Sequence, residues 1–291
     1  MQINFNRVLV MGTGRLAFQC ALALKDYFTD SNVEVVELKL NNVSVLEKLC
    51  GKNAIIYSCL TKEEIESKLR QIKEQTLVVS AVNTYLFKPW FIKQDNIKII
   101  NYHNALLPRH RGRNAESWAI YMGDKQTGVT WHYVDEGVDT GRIIAQEVIE
   151  IDAEVTALKL LQRQNQLAFK SFEDFIGDLL IGNIKAELQL PDDESKLHYN
   201  QDIPNAGFID LAWDIEKIYR FLRALDYGNL RTLGYPKLNL QGKIYLVSAY
   251  KLTEFDGKSD KPIQFMQEFG KITGLKIADC NQCLCLQLEQ K

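Results

Sequence analysis

The chain has 291 residues, 46% of them hydrophobic and 10% aromatic, which is enough apolar material for one large domain and a small one. Thirty-five Lys and Arg stand against 37 Asp and Glu, a formal net charge of −2 with no basic tail or lysine-rich run, so a protein that tracks DNA is not indicated. No apolar stretch approaches the roughly 20 residues that cross a bilayer, and the N-terminus has no basic region followed by an apolar run, so a cytoplasmic protein without a membrane partner is expected.

Arg7 to Met11 is a short run of β-formers, Gly12-Thr13-Gly14 punctuates it, and Leu16 to Phe28 carries apolar residues at helical spacing: strand, tight turn, helix. Val33 to Leu38 reads as a second strand, Val45 to Leu49 as a short helix and Ala54 to Cys59 as a third strand. Thr61 to Ile72 reads as an amphipathic helix with Thr61 as its N-cap. Gln75 to Ala81 and Ile97 to His103 are the fourth and fifth strands. Strands alternating with helices predict an α/β fold, a Rossmann-like, mostly parallel sheet covered on both faces. Ligands of such sheets bind beyond the carboxyl ends of the strands, where Gly12, Val82 to Tyr85, and Asn101 to His103 converge.

After the fifth strand the pattern changes. Asn114 to Tyr121 can form a helix, Gly128 to Val134 and Arg142 to Ile149 read as strands around an acidic turn, and Thr156 to Leu180 is a long helix. The expected organisation is a catalytic domain over 1–190, a polar, turn-rich linker over 191–206, and a helix plus a small β-barrel-like, OB-like domain over 207–291. The C-terminal strands are expected at Pro236 to Leu240, Lys243 to Tyr250, Gly270 to Thr273, Leu275 to Ala278 and Cys283 to Leu288. Six cysteines without a secretory signal read as reduced thiols. Cys280, Cys283 and Cys285 could supply half of a zinc site, but a second ligand pair is missing and Cys283 to Leu288 alternates like a strand, so no metal is expected.

Two constellations could carry chemistry. Gly12-Thr13-Gly14-Arg15-Leu16-Ala17 fits G-x-G-x-x-G/A between a strand and a helix, with Glu34 and Glu37 on the next strand at about the distance of a ribose-binding acid. Taken alone this suggests a dinucleotide such as NAD, another phosphate-bearing ligand, or only a tight turn. The second is Asn101, His103 and Asp139. Two positions apart at a strand end, Asn101 and His103 leave the same face, and a carboxamide beside an imidazole suits a developing oxyanion and a proton transfer. Asp139, in the turn Asp135-Glu136-Gly137-Val138-Asp139-Thr140-Gly141, can orient a histidine and stabilise its charged form.

The run Asn101-Tyr-His-Asn-Ala-Leu-Leu-Pro-Arg-His-Arg-Gly, then Trp118-Ala-Ile, Gly123-Asp, Thr127-Gly-Val-Thr and Asp139-Thr-Gly, resembles the signature of the formyltransferases that use 10-formyltetrahydrofolate. The similarity is dense over about residues 76–150. A second patch, Trp213 to Tyr227 with Gly234-Tyr-Pro-Lys, is similar to the start of the small C-terminal domain of the methionyl-tRNA enzyme and several sugar enzymes of that family. The resemblance implies the formyltransferase fold and 10-formyltetrahydrofolate as formyl donor. It implies that Asn101 and His103 polarise the formyl oxygen, and that Asp139 orients His103 and helps take the amine proton. It places the folate pocket at Val82, Asn83, Thr84, Tyr85, Leu86 and Phe87, at Leu107, and at Val134, Asp135, Glu136, Gly137 and Val138. Asn83-Thr84-Tyr85 departs from the glycine-containing form common in the family.

The acceptor is read from what surrounds this core. The methionyl-tRNA enzyme carries a basic, glycine-containing loop after its second strand. This chain passes from Leu38 to Val43 with no basic run, and from Asn205 onward 12 Lys or Arg stand against 10 Asp or Glu. tRNA is therefore disfavoured. Gly12, Thr13, Gly14 and Arg15, with Arg109, Arg111 and Arg113, could hold the phosphates of a small ligand, and Arg223 could close the cleft. Tyr102, Trp118 and Trp131 are the aromatic candidates for a nucleotide base. The expectation is an N-formyltransferase acting on a small or nucleotide-linked primary amine, an amino sugar nucleotide foremost. The rivals are methionyl-tRNA formylation, an NAD-binding oxidoreductase and a catalytically idle folate-binding or tailoring domain. The sequence does not specify an oligomeric state.

Overall fold

The computed structural model describes residues 3–39, 44–190, 192, 195–254, 263–279 and 281–290. Cys280, residues 40–43 before Ser44, and Pro191, Asp193 and Glu194 of the expected linker lie outside the described residues. In chain order the first elements are β1 (Arg7–Gly12), α1 (Gly14–Leu24), β2 (Val33–Leu38), α2 (Leu46–Lys52), β3 (Ile56–Leu60), α3 (Lys62–Arg70), β4 (Thr76–Ala81), α4 (Pro89–Ile92) and β5 (Ile97–His103). β6 (Arg111–Gly112), α5 (Ala115–Met122), β7 (Gln126–Tyr133), β8 (Ile143–Glu150), α6 (Ala157–Leu180) and β9 (Leu197–His198) follow. The chain ends with α7 (Ile215–Ala224), β10 (Lys237–Leu240), β11 (Lys243–Glu254), β12 (Ile263–Glu268), β13 (Lys271–Ala278) and β14 (Gln282–Gln290). These elements form two compact units. The first comprises Met1–Gly112, Gly128–Ile149 and Gln162–Leu197; the second comprises Arg113–Thr127, Glu150–Leu161 and His198–Lys291.

The first unit is built on a seven-stranded sheet in the order β3-β2-β1-β4-β5-β7-β8. β1 to β5 run parallel, and β7 returns antiparallel to β5. Successive side chains of a strand point to opposite faces. Val8 and Val10 of β1 accordingly pack with Leu16, Cys20 and Leu24 of α1 and with Phe172 and Phe175 of α6. Leu9 and Met11 pack on the other side with Ile65 and Leu69 of α3 and with Phe91 of α4. Burial on both faces is the reason β1 and β4 are almost continuously apolar. Thr61 caps α3 as expected and forms a complete capping box: its hydroxyl accepts from the Glu64 amide at 3.3 Å, and the Glu64 carboxylate accepts from the Thr61 amide at 2.8 Å. Tyr102 and Trp131 lie in the core, and the Trp131 indole donates to the Ala168 carbonyl at 2.9 Å, so neither ring offers a face to a nucleotide base.

In the second unit the C-terminal strands form a five-stranded antiparallel sheet in the order β10-β11-β14-β13-β12. The two strands expected around Gly274 are one, β13, running straight through that glycine; a Cβ there would meet Met266 Cε at 2.2 Å. Trp118 of α5 stacks on the His198 ring at 4.2 Å. The Tyr227 hydroxyl donates to the buried Glu116 carboxylate at 2.5 Å and lies 2.7 Å from the Ser117 hydroxyl. Burial, then the neighbouring Glu116 charge, pushes that hydroxyl well above the ordinary phenol range. Among the described residues no helix is long and apolar enough to cross a membrane.

Candidate active site

The site grows from the end of β5. Parallel pairing with β4 sets Ser80 beside Asn101. The antiparallel partner β7 sets His132 opposite Asn101 and Thr130 opposite His103. Asn101 and His103 therefore leave one face, as their spacing predicts, and a second imidazole that was not anticipated stands beside them. In the sequence His132 is one polar residue in Trp131-His132-Tyr133. Only the cross-strand register reveals it as a neighbour of Asn101.

Asp139 comes to this face through its loop. Its Oδ2 lies 3.5 Å from His103 Nδ1 and accepts from the Gly112 amide at 2.8 Å, and its Oδ1 lies 3.5 Å from His132 Nε2. Its backbone has φ +54°, in the left-handed region. Three features hold that conformation. Gln189 donates to the carbonyls of Asp139 at 2.9 Å and of Gly141 at 2.8 Å. The Asp135 carboxylate accepts from Thr140 at 2.6 Å and from the Gly137 amide at 3.1 Å. A Cβ on Gly141 would sit 1.7 Å from the Tyr133 carbonyl oxygen, so the chain can close here only through glycine. Gln189 was not anticipated either; 50 positions away, it carries no signal of its own.

The electrostatics assign protonation states. His103 is 4% exposed; burial pushes its pKa below the ordinary value while the Asp139 charge opposes this. Its Nε2 lies 2.9 Å from the His110 carbonyl, which can only accept, so the ring proton sits on Nε2 and the lone pair on Nδ1 faces Asp139. Burial alone would raise the Asp139 carboxyl, but the charge that His103 or His132 carries when protonated, together with the Gly112 N–H, outweighs it and holds the group well below the usual carboxylate range. The site at rest pairs an ionised carboxylate with an imidazole that can accept a proton.

The segments expected to hold folate flank this face. Val82 adopts φ +55°, rare for a β-branched residue, and is exposed like Thr84 and Leu86. The Asn83 side chain bonds both backbone groups of Tyr85, and Phe87 stacks on Phe91 at 6.0 Å. Val134 donates its amide to Ile99, Glu136 pairs with Lys93, and Val138 is exposed. Leu107 is buried, its amide on the Thr130 hydroxyl at 3.2 Å and its carbonyl on Gln146 at 2.8 Å.

The residues expected to hold the acceptor belong to both units. Gly12 is required by packing, since a Cβ would lie 1.7 Å from the Ala81 carbonyl oxygen. Thr13 precedes α1 without capping it, because its hydroxyl donates to Glu37 at 2.5 Å. Glu37 also accepts from Tyr57 at 2.7 Å, and Glu34 pairs with Arg7 and Lys68 at 2.6 Å each. The turn after β1 thus already faces a carboxylate. Arg15 is exposed, and Gly14 has open space where a side chain would go. Arg109 lies 3.9 Å from Asp192, and Arg111 lies in β6 next to Gly112. In the second unit Arg113 is exposed. Arg223 is 5% exposed there; it donates to the Val155 carbonyl at 2.8 Å and lines a cavity of about 560 Å³ with Tyr219 and Arg220.

A strand-end carboxamide and imidazole facing a low-pKa carboxylate suit attack at a carbonyl-type carbon with proton removal. Residues 28–175 match the Formyl transferase family, and the chain belongs to that family of enzymes. It is 32% identical over 248 residues to the GDP-perosamine N-formyltransferase of Brucella melitensis, covering 83% of this chain and 92% of the relative. It is 23% identical to the methionyl-tRNA formyltransferase of Clostridioides difficile, covering 97% and 91%. The fold matches an N-formyltransferase from Helicobacter canadensis in complex with folinic acid and dTDP-3-aminofucose, with TM-score 0.75, 20% identity and coverage of 97% and 99%. It also matches WlaRD, a sugar 3N-formyl transferase solved in the presence of dTDP and 5-N-formyl-THF, with TM-score 0.74, 21% identity and 99% of each chain.

Proposed function

We propose that this formyltransferase moves the formyl group of 10-formyltetrahydrofolate to the primary amine of a nucleotide-linked amino sugar in the cytoplasm. The observation that carries the reading is the convergence of Asn101, His103 and Asp139 on one face. Support for the acceptor comes from the Brucella relative, whose name gives a sugar nucleotide as its substrate, at 92% coverage of that protein.

On this reading the three residues take separate roles. One Asn101 N–H is engaged by His132; the second is available for the formyl oxygen. Attack by the neutral amine forms the C–N bond and moves the carbonyl electron pair onto oxygen, where that N–H stabilises it. The proton released by the attacking nitrogen is taken up on His103 Nδ1, where the Asp139 carboxylate stabilises it, and is then available to the departing folate nitrogen. Collapse of the tetrahedral intermediate then breaks the bond to the folate nitrogen, which leaves with a proton as tetrahydrofolate. With Nε2 bound to His110, His103 acts as a proton store rather than sharing the formyl oxygen.

The test is tetrahydrofolate release from 10-formyltetrahydrofolate with GDP-perosamine, dTDP-3-aminofucose or charged methionyl-tRNA as acceptor. Turnover with a sugar nucleotide that is lost in Asn101→Ala and Asp139→Ala is expected. Turnover with methionyl-tRNA alone would replace the acceptor assignment.

A further inference from the structure

Formyl transfer at this site requires the Asn101 carboxamide to present its nitrogen, and a terminal amide can turn over about its last torsion with little change in shape. Which end carries the nitrogen is decided by its hydrogen-bond partners. Here those partners form a chain anchored at both ends on backbone groups whose polarity is fixed.

At one end the Asn83 side chain accepts from the Tyr85 amide at 3.0 Å and donates to the Tyr85 carbonyl at 3.2 Å, so its orientation is unambiguous. The same NH2 donates to the Ser80 oxygen at 3.2 Å. Ser80 is buried, and its hydroxyl hydrogen goes to Asn101 Oδ1 at 2.7 Å. At the other end His132 Nδ1 lies 2.8 Å from the Tyr133 carbonyl, so Nδ1 carries the proton; in the neutral ring Nε2, 3.5 Å from Asp139 Oδ1, carries a lone pair. Asn101 Nδ2 donates to that lone pair at 3.1 Å. Every donor meets an acceptor from Asn83 through Ser80, Asn101 and His132 to the Tyr133 carbonyl. Reversing the Asn101 amide would set its oxygen against the His132 lone pair and its NH2 against a Ser80 oxygen that already accepts from Asn83. Among the described residues the second Asn101 N–H has no partner, and the relay fixes the side on which it is offered.

We infer that Ser80, backed by Asn83, is a positioning residue for formyl transfer that acts only by fixing the orientation of the Asn101 carboxamide. The inference rests on the role given above to Asn101. With GDP-perosamine as acceptor, Ser80→Ala should lower kcat about tenfold or more, a part of the 10²–10³ that loss of an oxyanion donor costs. KM for both substrates should stay within about twofold, because binding groups are untouched. In an Asn101→Ala background Ser80→Ala should cost nothing further, since the two act as one unit. A second signature needs no acceptor: the Asn101 side-chain amide should give one sharp pair of NMR signals in the wild type and a broadened or doubled pair in Ser80→Ala, while the Tyr133 carbonyl keeps the His132 ring in its Nδ1–H tautomer in both. Ser80→Cys, close in size and a much weaker donor, should behave like Ser80→Ala and serves in its place if the alanine variant does not fold. Unchanged kcat and unchanged Asn101 amide signals in the Ser80 variants would overturn the relay. So would a Ser80→Ala loss that persists in full without Asn101. If Asn101→Ala itself leaves turnover intact, the reading of the site falls instead, which separates the two failures.

Discussion

Replacing Asp139 by asparagine keeps the shape of the side chain and removes its charge, which separates its role in catalysis from its role in the loop. Asp139→Asn should retain the bonds around Asp135 and Gln189 yet lose about 10²-fold or more in kcat, measured at saturating substrates, because the released proton has lost its acceptor pair. The same variant should change acid stability. The folded carboxyl lies well below its unfolded value of about 3.9, so its contribution is complete above about pH 4 and is lost as the pH falls further. Urea unfolding from pH 5 downward should show a flatter acid limb in Asp139→Asn. His103 acts in a higher window: its folded pKa is depressed, so below about pH 6.5 the unfolded chain binds a proton that the folded ring resists. His103→Gln should remove that part of the decline between about pH 6.5 and 5. At this scale the sequence already carried Asn101, His103 and Asp139, because a two-residue spacing at a strand end and an Asp-Thr-Gly turn are local patterns. His132 and Ser80 were not legible, since each is one polar residue among the apolar ones of its strand and acquires meaning only from its cross-strand neighbour.

α3 offers a clean measure of what local sequence contributes, because its capping box lies on the surface and bonds none of the site residues. Thr61→Ala should cost about 1 kcal/mol in urea unfolding and leave kcat unchanged. Gly12→Ala should do far more. The added carbon would overlap the Ala81 carbonyl in the β1–β4 pair, and a fall in melting temperature or in soluble yield is the expected result. Periodicity identified α1, α3, α6 and α7 and the first five strands with small shifts of boundary, since long amphipathic or fully apolar runs leave few alternatives. It did not find α4, four residues long, or β12, whose exposed Phe265 and Met266 break the usual alternation. Gly274 read as a break between strands because glycine normally punctuates; here it makes room for Met266.

The whole chain carries a formal charge of −2, and that balance shapes the expected response to salt. A protein that neutralises several phosphates of a nucleic acid loses about 10³–10⁵ in affinity between 50 and 200 mM salt. Formyl transfer to a sugar nucleotide by this enzyme should change about threefold or less over that range. Binding of 5-formyltetrahydrofolate should raise the melting temperature, by an amount equivalent to about 2.7 kcal/mol at a hundredfold excess over Kd. The parallel sheet was legible from alternation of elements alone, whereas the interleaving of the two units along the chain was not, because α5 and the start of α6 group with α7 and the rest of the second unit through contacts distant in sequence. The antiparallel return of β7 also sets a rule for anyone who wishes to re-engineer the enzyme. Inserting or deleting one residue between Thr127 and His132 would slide the strand by one position and put Trp131 or Tyr133 where the imidazole stands. Libraries that vary loop length are best confined to segments outside β7, while point substitutions inside it remain open.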